Sequence, residues 1–148
     1  MLYSSACGYA IRALTYLADR PRGEFFQAKD IARVEDIPAP FLGKILPALV
    51  RAGLLRSSKG PHGGYTLARR PTGITLLAIK AAIDGLAELD GCASGLGRCS
   101  SSKPCAQHDR FKPLRERIRG YLTTTTVADM TRALAGKRAA LSRPRPRP

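Results

Sequence analysis

Gly60-Pro61-His62-Gly63-Gly64 is the stretch that most narrows what this chain can become. A proline and three glycines so close together cannot continue a helix. They are bounded by Leu54-Leu55-Arg56-Ser57-Ser58-Lys59 and Tyr65-Thr66-Leu67-Ala68, which read as the two strands of a hairpin closed by a tight turn. Three segments of helical spacing come first. Ala6, Tyr9, Ala10, Ala13, Leu14 and Leu17 share one face of a first helix, which Pro21-Arg22-Gly23 ends. A shorter second helix fits Ala28 to Val34, with Ile31 and Ala32 inward. Glu35 to Pro40 must turn, because a residue that precedes proline is pushed out of the helical region.

Pro40 then suits the first turn of a third helix, where its missing N–H costs nothing. Leu42, Ile45, Leu46, Leu49 and Val50 form its buried stripe, and Gly53 stops it. Pro47 is expected to bend or locally break that helix. Two helices, a turn, a third helix and a basic hairpin make a winged helix-turn-helix, so the fold class is mainly α with a small β wing. In such a fold the third helix enters the major groove and its early residues face base edges. Ala39, Phe41, Gly43 and Lys44 are the exposed reading candidates. The wing presents Lys59 and His62 at a glycine-rich tip where backbone N–H groups can approach phosphates. A plain hairpin with solvated charges is the competing reading of the wing alone. The full candidate DNA-contacting set is Lys29, Pro40, Phe41, Gly43, Lys44, Arg51 and Arg56, followed by Lys59, Gly60, Pro61, His62, Gly63, Gly64 and Tyr65.

Charge supports a polyanionic partner. The formal net charge is +14, and it is unevenly placed. Residues 1–70 carry 11 Lys/Arg against 5 Asp/Glu, residues 71–108 carry 3 against 3, and residues 109–148 carry 11 against 3. Such a basic excess favours duplex nucleic acid through counterion release, with an anionic membrane surface second. Four Phe, five Tyr and no Trp leave little for base-stacking recognition of RNA. The opening residues lack a basic leader, and no run approaches the roughly 18–20 apolar residues of a membrane span. A cytoplasmic location, with reduced thiols and no membrane partner, is therefore expected.

The stretches Tyr9-Ala10-Ile11-Arg12-Ala13-Leu14, Ile31-Ala32, Ile37-Pro38, Phe41-Leu42, Ile45-Leu46 and above all Gly53 to Leu67 resemble the Rrf-two family of winged-helix regulators, of the IscR/NsrR type. The likeness runs from about residue 1 to residue 135. It implies a homodimer, a wing that contacts the minor groove, and control of iron–sulphur, nitric-oxide or redox-stress genes.

Residues 71–90 are expected to be a linking helix, with Ile74 to Ile83 mostly buried and a stop near Asp84-Gly85. Residues 91–108 form a cysteine loop, flexible by composition. Residues 109–135 hold a dimerisation helix and a short last helix. Phe111, Leu114, Ile118, Tyr121 and Leu122 lie on one face of the first of these, and a twofold-related copy is the economical partner for that face. On this reading Ile118→Glu with Leu122→Glu yields monomers. Thr126-Val127-Ala128-Asp129 looks like a capping box with Asp in the Glu position. Residues 136–148, ending Arg143-Pro144-Arg145-Pro146-Arg147-Pro148, read as a basic disordered tail.

Cys92, Cys99 and Cys105 are separated by six and five residues, and His108 follows Cys105 by three. Thiolates ligate iron–sulphur clusters and imidazole can replace one of them. By the resemblance, the three cysteines match the family's cluster-binding triplet, although the first interval is one residue longer than usual. His108 matches the histidine ligand of the iron–sulphur-cluster regulator. Gly8 stands where the nitric-oxide sensor has an aspartate, which leaves His108, Cys7 or an external thiol as fourth ligand. The metal set is thus Cys92, Cys99, Cys105 and His108, with an iron–sulphur cluster of two-iron or four-iron type as cofactor. Zinc, a cluster-free thiol switch on Cys99 and Cys105, and incidental cysteines compete. A zinc- or thiol-dependent enzyme is disfavoured: no nucleophile–base arrangement, Cys-x-x-Cys or nucleotide loop is present.

Overall fold

The first helix, α1 (Ser5–Ala18), is the one on which most of the molecule packs. Ser4 starts it by accepting a hydrogen bond from the Cys7 N–H at 3.0 Å. Cys7, Ala10, Ala13, Leu14 and Leu17 line its buried face, and three small residues among them let neighbouring helices approach closely. In the computed structural model, which describes residues 2–141, α1 contacts α2 (Ala28–Glu35), α3 (Ala39–Arg51), α4 (Leu76–Ile83), α7 (Val127–Leu141) and the second wing strand. The remaining elements are β1 (Leu55–Ser58), β2 (Gly64–Leu67), α5 (Ala87–Asp90) and α6 (His108–Thr124). The architecture is the mainly helical, single-hairpin fold that the sequence leads one to expect.

α2 ends with Asp36 in the left-handed region (φ 49°), a conformation that Asp tolerates through its short polar side chain. The chain reverses there: the Ile37 N–H returns to the Ala32 carbonyl at 2.9 Å and Ile37 is buried. α3 begins at Ala39-Pro40 and buries Leu42, Ile45, Leu46 and Leu49. It runs through Pro47 without the local break that was one of the two outcomes expected there. The carbonyl that the ring would crowd, four residues back, belongs to exposed Gly43, and no other group lies within 4 Å of a Cβ built there. A residue with no side chain at that point leaves the turn room to adjust.

β1 and β2 pair antiparallel, with Leu55 opposite Leu67 and Ser58 opposite Gly64. A third rung comes from the segment before α2. Phe26 N–H donates to the Tyr65 carbonyl at 3.0 Å and Tyr65 N–H returns to the Phe26 carbonyl at 2.9 Å. This close approach explains the glycine pair. A Cβ on Gly63 would sit 2.3 Å from the Ser58 oxygen, and one on Gly64 (φ +139°) 2.2 Å from the Phe26 oxygen. Gly64→Ala is accordingly expected to destabilise the fold by about 1–3 kcal/mol through backbone strain. Urea denaturation checks this, and a midpoint equal to wild type would contradict it.

The segment 71–90 is not one helix. Pro71–Gly73 makes a single 3-10 turn, α4 ends at Ile83, Gly85 takes φ +73°, and α5 is a separate turn. Lys80 on α4 is only 1% exposed. Its Nζ lies 3.5 Å from Asp84 and 3.6 Å from Glu88, so a buried cation is paired on its own side of the molecule. Asp84 in turn accepts from both the N–H and the hydroxyl of Ser4, which pins the end of α4 to the start of α1. Burial opposes ionisation of Asp84, but Ser4 and Lys80 outweigh it and hold the carboxyl below its ordinary range.

α6 packs against α4 with a single fully buried residue in its second half, Leu122 (0% exposed), aided by half-buried Ile118. Leu114 and Tyr121 remain 51% and 48% exposed. The apolar stripe read as one face is therefore divided, and Leu122 belongs to the protomer's own core. α6 is joined to α7 by the corner 125–126, which is tied to the start of α4 by the Leu76 N–H to the Thr125 carbonyl and the Val127 N–H to the Ile74 carbonyl. Thr126 and Asp129 cap α7 reciprocally at 2.9 and 3.2 Å. That helix is longer than expected. It runs to Leu141 through good helix formers, with Arg138 reaching Asp19 on α1 at 3.2 Å. Residues 136–141 are thus helical, whereas the Arg-Pro repeat lies outside the described residues. No described helix is long and apolar enough to cross a membrane.

Candidate nucleic-acid interface and cysteine loop

Lys29, Pro40, Phe41, Gly43, Lys44, Arg51, Arg56, Lys59, Gly60, Pro61 and His62 are all exposed, as a contacting surface requires. Pro40, Phe41, Gly43 and Lys44 share the first turns of α3. Phe41 is steadied there by an edge-on ring contact with Tyr9 of α1, centroids 5.7 Å apart. Arg51 lies at the other end of the same helix, roughly 16 Å from Pro40 along the axis at the helical rise per residue. The wing tip is held to the start of α2, since the Gln27 side-chain amide donates to the Pro61 carbonyl at 3.1 Å. Lys29, the second residue of α2, lies two positions after Gln27 and so close along the chain to this tie.

Gly63, Gly64 and Tyr65 are placed differently. Gly63 is buried, and its N–H is engaged with the Gly60 carbonyl at 3.0 Å. Gly64 and Tyr65 are half-buried, and the Tyr65 N–H is engaged with Phe26. These residues shape the wing, and the N–H groups of Gly63 and Tyr65 are not available to a phosphate. The sequence reading passed over Gln27 and Phe26. A strand of one bridging residue has no alternation to reveal it. The only signal is the apolar pair Phe25-Phe26 between Gly23 and the next helix.

Lys44→Ala and His62→Ala are expected to weaken duplex binding without unfolding, because both side chains are exposed and neither takes part in the core. Lys44 at a guanine edge should cost about 1–3 kcal/mol and relax one base position, and His62 less. Gel-shift titration at several salt concentrations against a duplex selected from a random library measures both. Unchanged affinity in both variants would remove these residues from the interface.

The cysteine loop is more ordered than its composition suggests. Gly91 and Arg98 form a bridge, Cys92 N–H donates to the Gly97 carbonyl at 2.7 Å, and Cys99 N–H donates to the Asp90 carbonyl at 2.9 Å. Gly95 and Gly97, at φ +75° and +81°, make the reversal. The loop is fastened to α6 by Asp90, whose carboxylate takes Arg119 at 2.5 Å, and by Arg115, which donates to the Gly91 carbonyl at 3.4 Å.

The four candidate ligands come together as two pairs. Cys99 Sγ lies 3.4 Å from His108 Nδ1 at the N-terminus of α6, and Ser101 Oγ faces the other ring nitrogen at 3.3 Å. Cys105 has Ser94, the Gln107 backbone and Cys92 as its polar neighbours, and together, Ser94 foremost, they hold its thiol below its ordinary value. Cys105 thus has Cys92 for its thiol neighbour, while Cys99, its partner in the competing thiol-switch reading, lies against His108. Among the described residues no three His, Cys, Asp or Glu side chains close into one metal-sized group. Cys7 is apart from this site. It is fully buried in α1, and burial, reinforced by Asp84 and opposed by Lys80, pushes its thiol up to about 12.

Three helices, the third exposing Lys44 in its first turns, and a hairpin wing tied to the start of α2 define a winged helix-turn-helix DNA-binding protein. The Rrf2 family, described as iron-dependent transcriptional regulators, matches residues 3–133. The chain is 38% identical over 132 residues to Rv1287 of Mycobacterium tuberculosis, named as an HTH-type transcriptional regulator, covering 88% of this chain and 81% of that one. It is 28% identical over 130 residues to the HTH-type transcriptional regulator IscR of Serratia proteamaculans, covering 88% and 79%. CymR, the global cysteine regulator of B. subtilis, shares the fold, with a TM-score of 0.75 at 22% identity over 88% of this chain and 95% of that one. The protein belongs to the Rrf2 family and is a DNA-binding transcriptional regulator, not an enzyme.

Proposed function

We propose that the protein works as a dimer that reports redox, nitric-oxide or iron–sulphur status to its operator through an iron–sulphur cluster on the cysteine loop. The observation that carries the reading is the gathering of Cys92, Cys99, Cys105 and His108 on one loop, as a thiol–thiol and a thiol–imidazole pair. The donors fit such a cluster in kind and number. Two pairs suit a centre with two ligands on each of two irons better than a single zinc ion, which needs all four in one shell. A cluster there would supply a redox-active centre that oxidants and nitric oxide attack. The family's description as iron-dependent and the likeness to IscR support this reading.

The chain's own contacts provide the route to DNA. Asp90–Arg119 and Arg115–Gly91 fasten the loop to α6, α6 rests on α4 through Leu122, and Asp84 at the end of α4 holds Ser4 at the start of α1. Exposed Leu114 and Tyr121 give α6 an outer face for a second copy. Two reading helices roughly 34–36 Å apart would then require a pseudo-palindromic site. Iron and sulphide analysis of protein purified without air, with its absorption spectrum, tests the cofactor. Reconstitution that loads zinc but no iron–sulphur cluster would contradict this reading and leave DNA binding untouched.

A further inference from the structure

A second basic site lies away from the reading helix and the cysteine loop. A cleft of about 280 Å³ opens between the end of α1, the α1–α2 turn and the hairpin. Arg20, Arg22 and Arg56 line it, with Leu17, Gly23 and Thr66, and no acidic side chain is among its walls. Arg56 and Thr66 are cross-strand partners, which places them on the same face of the hairpin. Arg20 is held rigid: its guanidinium lies 3.5 Å from the Tyr16 ring centroid and donates to the Tyr16 carbonyl at 3.1 Å.

Three features have no use in the fold. Among the described residues, neither Arg22 nor Arg56 is within ion-pair distance of a carboxylate, so both charges are free to meet an anion. Thr66 is only 4% exposed, yet its hydroxyl has no hydrogen-bond partner among the described residues. The turn at Arg22-Gly23, with Gly23 at φ +84°, likewise leaves its two backbone N–H groups without described acceptors. Cations, a sheltered hydroxyl and unengaged N–H groups around one small cleft are the components of an oxyanion site.

The geometry points to this cleft as a binding site for a phosphate-type oxyanion, with Arg22 and Arg56 as the charged clamp and the Thr66 hydroxyl as the neutral donor. The oxyanion is either a backbone phosphate of bound DNA or a phosphoryl group of a free small molecule. The site does not depend on the cluster and is independent of the reading residues on α3.

The test uses the full chain and two variants, Arg22→Gln/Arg56→Gln and Thr66→Val, all three side chains lying outside the helix-packing core. Inorganic pyrophosphate is titrated calorimetrically into DNA-free protein, and a short duplex of mixed sequence is titrated over a range of salt. For a free ligand, pyrophosphate binding weakens about tenfold or more in both variants, while Thr66→Val, which lies outside the DNA-contacting set, leaves duplex affinity and salt slope unchanged. For a DNA phosphate, the slope falls by about 1–2 in the double variant, and Thr66→Val weakens the duplex without changing the slope. If Thr66→Val alters neither probe, the arginines act only as diffuse charge and the site is overturned. Unchanged binding of both probes by the double variant overturns it as well.

Discussion

Replacing Cys92, Cys99 or Cys105 singly by Ser is expected to take the anaerobically purified protein from about one cluster per chain to background iron and sulphide. Each thiolate holds one corner of the centre, and a serine hydroxyl is a poor ligand for iron at neutral pH. Cys7→Ser should leave the content unchanged, because Cys7 is sealed inside α1 and remains a thiol. His108→Ala should keep a cluster that is more labile or shifted in potential, since only the imidazole ligand is lost. Colorimetric iron and sulphide assays on the five proteins read the pattern directly. A full cluster in any of the three cysteine variants would exclude that residue as a ligand.

Leu122→Glu is expected to unfold the protein, whereas Leu114→Glu with Tyr121→Glu should yield a folded monomer. Leu122 is wholly inside the protomer, and an unpaired carboxylate there should cost several kcal/mol, a large part of the usual ~5–15 kcal/mol margin. Leu114 and Tyr121 are half exposed on α6, so charges there cost the protomer little beyond the Tyr121 contact with Tyr3 and act chiefly on a copy seated against them. Circular dichroism and analytical ultracentrifugation separate the two effects. A double variant that remains dimeric at micromolar concentration would place the dimer contact elsewhere.

The wing and the helices before it were legible because their signals are local. A glycine pair, a proline at a helix start and a regular apolar spacing are each visible within a few residues. What the sequence hid is what depends on distance in space. Leu122 and Leu114 look alike in a helical projection, and only the position of α4 decides that one is core and the other surface. The rung at Phe26 is invisible for the same reason, although it dictates why Gly64 must lack a side chain. On the cysteine loop, the thiol-switch alternative paired Cys99 with Cys105, but in space Cys99 meets His108 and Cys105 has Cys92 as a neighbour, which no interval along the chain reveals. α7 outran its expected end because its stripe fades while its helix-forming residues do not. Pro47 was overestimated as a breaker because its effect depends on the residue four places earlier, which is Gly43.

The most direct test of the account is operator affinity measured without air for cluster-loaded and cluster-free protein, on the same duplex at the same salt. The loop's attachment to α6 and onward to α1 predicts affinities that differ by about tenfold or more, within the usual range of coupling between two sites. Cys92→Ser should follow the cluster-free curve under both conditions. Equal affinities, with the cluster shown by its absorption to be bound throughout the titration, would contradict the proposal that this loop is the sensor.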